Sequence, residues 1–153
     1  MSIKKRNSVD SWKPIIFGYL GSIVFLLLMC GLLYWLPQLS NNQQLKVFAS
    51  HLYDYPLPPR SEVVSRHSEI GLIGNGNHCD FLAEQTILTY LSPSEIESYY
   101  EKVDMPPARE ESRKLRLPVI VQFSEQPPND KRLLFTIILM NQGYDPGLDI
   151  RCH

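Results

Sequence analysis

The apolar positions of this chain change rhythm along its length. From Ile15 to Leu36 they form one uninterrupted run of 22 residues, bracketed by Pro14 and Pro37 and free of charge. As α-helix that run is about 33 Å long, against a hydrocarbon core of about 30 Å. It predicts a transmembrane helix that meets the lipid bilayer along its length. Trp12 stands at one end and Tyr34-Trp35 at the other, where amphipathic rings favour the headgroup level. Further on, Leu45, Phe48 and Leu52 recur at i, i+3 and i+7, which predicts a short juxtamembrane helix over 43–53. Pro56-Leu57-Pro58-Pro59 ends it in a stiff, extended linker.

The rhythm then becomes that of strands. Val63, Val64, Ile70, Leu72 and Ile73 predict a strand from Glu62 to Ile73. Gly74-Asn75-Gly76-Asn77 reads as a structural turn, because these residues tolerate positive φ and lie between two apolar-rich segments. The stretch from Phe81 to Leu91 fits helix or strand. Its Thr86, Ile87, Thr89 and Tyr90, and the hairpin loop before it, favour strand. Ser92-Pro93-Ser94-Glu95 is a capping box: Ser92 caps, Pro93 takes the first helical position and Glu95 reaches back. The helix is expected to reach about Val103, with Ile96, Tyr99, Tyr100 and Val103 on one face, before Pro106-Pro107 stops it.

Residues 108–116 mix Arg109, Arg113, Lys114 and Arg116 with Glu110 and Glu111, the pattern of a solvated connector rather than a binding patch. Two more strands, Leu117 to Phe123 and Leu133 to Met140, are joined through Pro127-Pro128-Asn129-Asp130. A turn at 143–147 leads to a short edge strand over 148–152. The expected fold class is α+β: a single transmembrane helix, then a compact, mostly antiparallel sheet domain in the order β-hairpin, helix, β-hairpin. The strand from Leu133 to Met140 is apolar on both alternating faces and is expected to be covered on both.

Charge gives the anchor a direction. Lys4, Lys5, Arg6 and Lys13 precede the run, opposed by Asp10 alone, and Lys46 is the only basic residue from Gln38 to Pro59. The positive-inside rule puts the N-terminus in the cytoplasm and the remainder outside. A cleaved signal peptide is the rival, but its apolar core usually spans about 7–15 residues and ends in small residues. This run is longer and leaves through Tyr34-Trp35-Leu36-Pro37-Gln38. Cys30 follows Met29 inside the run, which does not suit a lipoprotein signal. The expected organisation is a basic cytoplasmic tail (1–14), a signal-anchor helix (15–36), a juxtamembrane helix and Pro-rich linker (37–60), and an exported domain (61–153). Gly18 and Ser22 have the spacing that lets two such helices approach, which keeps a homodimer open, although a Gly-rich span gives that spacing by chance.

Residues 38–153 carry 11 Lys/Arg and 15 Asp/Glu, a net charge of −4. That argues against nucleic acid or an anionic surface as an electrostatic partner. Cys79 and Cys152 are the only cysteines outside the apolar run. An even count in an exported domain is consistent with one disulfide closing a loop of about 70 residues. Two free thiols are the alternative.

His78, Cys79 and Asp80 form the densest polar cluster. They offer a thiol, an imidazole and a carboxylate for a thiol or redox reaction, or a metal site shared with Cys152-His153. On a strand, however, Cys79 points away from its neighbours, and metal pairs usually have at least two intervening residues. The expectation is a turn plus a disulfide, with no catalytic residue, metal or cofactor. The glycine-rich turn lacks the Lys-Ser/Thr of a phosphate loop. His51 and His67 stand alone, and Glu62, Glu69 and Glu84 show no acid–base pairing. Tyr99 and Tyr100 read as core and its margin.

The arrangement Pro58-Pro59, Val63-Val64, His67-Ser68, Gly74-Asn75-Gly76-Asn77, Leu91-Ser92, Ser94-Glu95, Tyr99-Tyr100 and Leu148-Asp149-Ile150-Arg151 resembles a group of small uncharacterised bacterial proteins. They have an N-terminal anchor or lipid signal and one exported α+β domain. The resemblance implies a bacterial envelope location and carries no activity with it. The expected function is a non-enzymatic interaction or accessory module held at the cell membrane, with an envelope protein as possible partner. A thiol or metal protein centred on His78-Cys79-Asp80 and a small-ligand sensor are the alternatives.

Overall fold

The computed structural model describes residues 13–74, 78–109, 116–124, 131–145 and 147–153. The turn residues Asn75, Gly76 and Asn77, the basic tail, most of the charged connector and the Pro127-Pro128 loop lie outside the described residues. Helix α1 is Lys13–Tyr53. The chain divides within it into two compact units, Met1–Leu36 and Pro37–His153.

In the first unit every large apolar side chain from Ile15 to Leu36 is exposed, and the helix is long and apolar enough to cross a membrane, reaching a mean hydropathy of 2.4 over 18 residues. The hydroxyl of the only serine in that run is satisfied internally, Ser22 donating to the Gly18 carbonyl at 3.0 Å. Such pairing is what an apolar solvent demands of a polar group.

The second unit is an α+β domain. Its strands are β1 (Ser61–Gly71), β2 (Cys79–Thr89), β3 (Asp104–Met105), β4 (Leu117–Pro118), β5 (Ile120–Phe123) and β6 (Leu133–Tyr144), with helix α2 (Pro93–Tyr100) between β2 and β3. Four strands form one antiparallel sheet in the order β1-β2-β6-β5, and β3 pairs with β4. One face of the central pair sets Phe81, Ala83, Gln85 and Ile87 opposite Asn141, Leu139, Ile137 and Phe135. All eight are buried. Ile96 and Tyr100 of α2 and Phe48, Ala49 and Leu52 of α1 join the same core. The Phe48 and Phe81 rings meet edge to face at 6.0 Å, and those of Tyr100 and Phe135 stand 6.3 Å apart.

Four expectations need correction. Residues 43–53 are not a separate helix but the last turns of α1, and they belong to the domain's core rather than to a linker. Pro37 does not end the helix: it withholds one N–H, a local loss of about 3 kcal/mol, while Phe48 and Leu52 downstream are fully buried. Tyr53 then ties the helix to β1. Its hydroxyl donates to the His67 carbonyl at 2.6 Å, and Arg66 donates to the Tyr53 carbonyl at 3.0 Å.

The other three concern strands. Val119 breaks the expected strand 117–123 into β4 and β5. β6 is covered on one face only: Phe135, Ile137 and Leu139 are buried, whereas Leu134, Thr136, Ile138 and Met140 are half-buried. The segment 148–152 is no strand. It ends in a 3₁₀ turn, Ile150–Cys152, because the Asp149 side chain accepts the Arg151 N–H and bends the chain.

Candidate functional site

The cluster read from sequence is taken up by structure. Cys79 and Cys152 are joined by a disulfide, with Cα atoms 4.9 Å apart, inside the usual range of about 4.4–6.8 Å. Both are buried in the core, so in this state neither sulfur is a nucleophile or a metal-binding thiolate. Asp80, 1% exposed, accepts from the Gly74 N–H at 2.8 Å and the Gly143 N–H at 3.1 Å. It clamps the β1–β2 turn to the far end of β6. Gly74 suits that clamp: a Cβ there would stand 3.0 Å from the Asp80 carboxylate and 2.6 Å from the Gln142 amide. His78 is half-buried beside the bridge, whereas the His153 ring pairs with the Gly147 carbonyl at 2.9 Å. Among the described residues no group of three or more His, Cys, Asp and Glu could hold a metal ion.

The remaining singled-out residues serve the fold. Ser92 and Glu95 form the capping box of α2: Glu95 accepts the Ser92 N–H at 2.8 Å, and that bond holds its carboxyl below the usual range. The Tyr99 hydroxyl donates to the Pro56 carbonyl at 3.0 Å. Burial pushes the Tyr100 phenol up. Glu62 pairs with Arg132 at 2.6 Å, and the exposed His67 and Glu69 stand 3.6 Å apart.

A different constellation stands out, gathered from three distant parts of the chain. Asn41 of α1 is buried, and its amide nitrogen donates to Asp149 Oδ2 at 2.8 Å. Asp149, wholly buried, also accepts from Arg151 Nε at 2.9 Å and Nη2 at 2.6 Å. The Arg151 hydrogen bonds, reinforced by Asn41, hold the Asp149 carboxyl at about 2, against the burial that would raise it. On its other side the Asn41 carbonyl oxygen accepts from Arg109 Nη2 at 3.2 Å. Arg109 Nε donates to Gln44 Oε1 at 3.0 Å, and the guanidinium lies over the Tyr144 ring, 4.9 Å from its centroid. An open cleft of 490 Å³ lies against this network, lined by Ser40, Asn41, Gln44, Arg109, Asp145 and Leu148 among others.

These residues escaped the sequence reading. Arg109 looked like one charge in a solvated connector, and Asn41 followed the apolar run without a partner. The one signal available is the run of five polar residues Ser40-Asn41-Asn42-Gln43-Gln44, directly before the apolar face Leu45-Phe48-Leu52.

Compared with protein-family models, with curated proteins and with solved structures, the chain has no match. The class is therefore defined by fold and site: a disulfide-closed α+β domain, carrying a polar cleft at its first helical turns, in a chain whose N-terminal helix is long and apolar enough to cross a membrane.

Proposed function

We propose that this protein is a single-pass, membrane-anchored accessory module of the bacterial cell envelope, with its N-terminus in the cytoplasm and Pro37–His153 outside. It acts by binding a protein partner rather than by carrying out a reaction. One combination of features carries the reading: an apolar helical run whose large side chains are exposed from Ile15 to Leu36, in the same chain as a domain closed by a disulfide. Such a helix is a severe aggregation hazard in water and an ordinary membrane span in lipid. A buried structural disulfide fits an oxidising compartment and is rare in a reducing cytosol. The excess of Lys and Arg before the run supports the orientation.

Crosslinking in intact cells, followed by affinity capture of the full chain, tests the binding role. A discrete crosslinked species containing a second envelope protein is expected. Monomer alone, under conditions that preserve known envelope complexes, overturns it. Protease added to spheroplasts should digest the domain while sparing the tail, and the opposite pattern refutes the orientation.

A further inference from the structure

We infer that the cleft beside Arg109 binds the zwitterionic headgroup of a membrane phospholipid, a phosphate linked to a primary ammonium. The inference rests on the membrane-anchored reading above and names a ligand for the part of the domain closest in sequence to the span.

Among the described residues the charges at the cleft have no counter-charge within ion-pair distance. Arg109 is half-buried, yet its described partners are two amide oxygens and an aromatic ring, none of which cancels its charge. Its Nη1 has no acceptor among the described residues. Asp145 lines the same cleft: one carboxylate oxygen accepts the Gly147 N–H at 2.8 Å, and the other takes no donor among the described residues. The cleft lined by Arg60, Glu62 and Arg132 is a useful contrast, since there Arg132 and Glu62 satisfy each other at 2.6 Å.

A half-buried cation without a counter-charge favours an anion, and a planar guanidinium suits phosphate oxygens. Asp145 would repel a purely anionic ligand and favours one that also carries a cation. A primary ammonium can donate hydrogen bonds to the carboxylate, which a quaternary ammonium cannot.

Two further features favour a lipid over a soluble zwitterion. Leu148, on the rim of the cleft, is 64% exposed, and Ile150 nearby is 56% exposed; a headgroup brings apolar glycerol and acyl carbons to meet such a rim. Ser40 and Asn41 follow Leu36 by four and five residues, and five residues reach at most about 18 Å in any conformation. The α1 residues of the cleft are thereby tethered within that distance of the last residue of the apolar run.

The test uses the full chain in nanodiscs of phosphatidylcholine, doped in turn with equal fractions of phosphatidylethanolamine or phosphatidylglycerol, then released into detergent for native mass spectrometry. Wild type is expected to retain phosphatidylethanolamine about tenfold over the other two lipids. Arg109→Gln should lose retention of all three. Asp145→Asn, which keeps an oxygen for Gly147, should keep lipid but lose the preference. Thermal melts establish that each variant is folded.

Equal retention of all lipids by wild type overturns the inference, as does unchanged retention by folded Arg109→Gln. Displacement of the lipid by equimolar water-soluble phosphoethanolamine overturns the lipid assignment, and resistance to it supports it. Failure to enter nanodiscs at all refutes the membrane reading, and this proposal with it. Insertion without selectivity refutes the headgroup site alone.

Discussion

The Asn41 amide donates to the Asp149 carboxylate at 2.8 Å across 108 residues of chain. Both groups are buried, and the same carboxylate takes the Arg151 guanidinium. The bond joins helix α1 to the C-terminal turn.

A pH dependence follows from it. Hydrogen bonds from Arg151 and Asn41 lower the Asp149 carboxyl to about 2 in the folded state, from about 3.9 in an unfolded chain. A lowered folded value means that the stabilisation is full above about pH 4 and is lost as pH falls toward 2, for a total of about 2–3 kcal/mol. Asp149→Asn should lose about that much at neutral pH and flatten the acid limb of a stability profile measured by urea unfolding. An acid limb as steep as wild type would show that other carboxylates carry it.

Reduction of the Cys79–Cys152 bridge releases a 73-residue separation in the unfolded chain. The expected cost is about 2–4 kcal/mol, read as a lower melting temperature with reductant. The double variant Cys79→Ser/Cys152→Ser should melt at the reduced temperature and be insensitive to reductant. A redox role would instead show ready cycling of the bridge under mild thiol buffers, which the burial of both sulfurs opposes.

Asp80→Ala removes the acceptor for two backbone N–H groups, of Gly74 and Gly143. At about 1–3 kcal/mol for each group left unpaired, the variant should lose about 2–4 kcal/mol once water has partly repaired the loss. Hydrogen exchange at Gly74 and Gly143 should speed up before exchange elsewhere in the sheet. Protection unchanged at both amides would remove the clamp.

Gln85 offers a change in the opposite direction. It is 1% exposed on the core face of β2, and neither polar atom of its amide has a partner among the described residues. Gln85→Leu replaces an unsatisfied polar group by an apolar one of similar size and should stabilise by about 1 kcal/mol. A lower melting temperature would mean that the amide is satisfied by internal water.

Much of the architecture was legible because it is local. The apolar run, the alternation around Ile87 and the Ser92–Glu95 box each declare an element within a few residues. The face Leu45-Phe48-Leu52 announced a helix, but not that its apolar side belongs to the sheet's core, since Phe48 and Phe81 meet only in three dimensions. β6 runs on past Met140 to Tyr144, although the apolar pattern stops at Met140 and polar Asn141-Gln142 follow. Asn141 is nevertheless buried there, accepting from the Ala108 N–H and bonding the Tyr144 hydroxyl. The cleft residues were the least legible: Asn41, Arg109 and Asp149 come from three separate segments, and no spacing rule connects them.

The cross-chain bonds also set a timetable. Asn41 is synthesised before any strand of the sheet, and its acceptor Asp149 after all of them. The end of α1 and the β1–β2 hairpin are available early. The second neighbour of β2, the sulfur for Cys79 and the carboxylate for Asn41 all arrive with residues 133–152. Until those residues emerge, Cys79 lacks its disulfide partner and β2 lacks one of its two neighbours. A nascent chain that lacks residues 133–152 therefore carries a free Cys79 and an uncovered edge on β2, which invites mispairing and proteolysis.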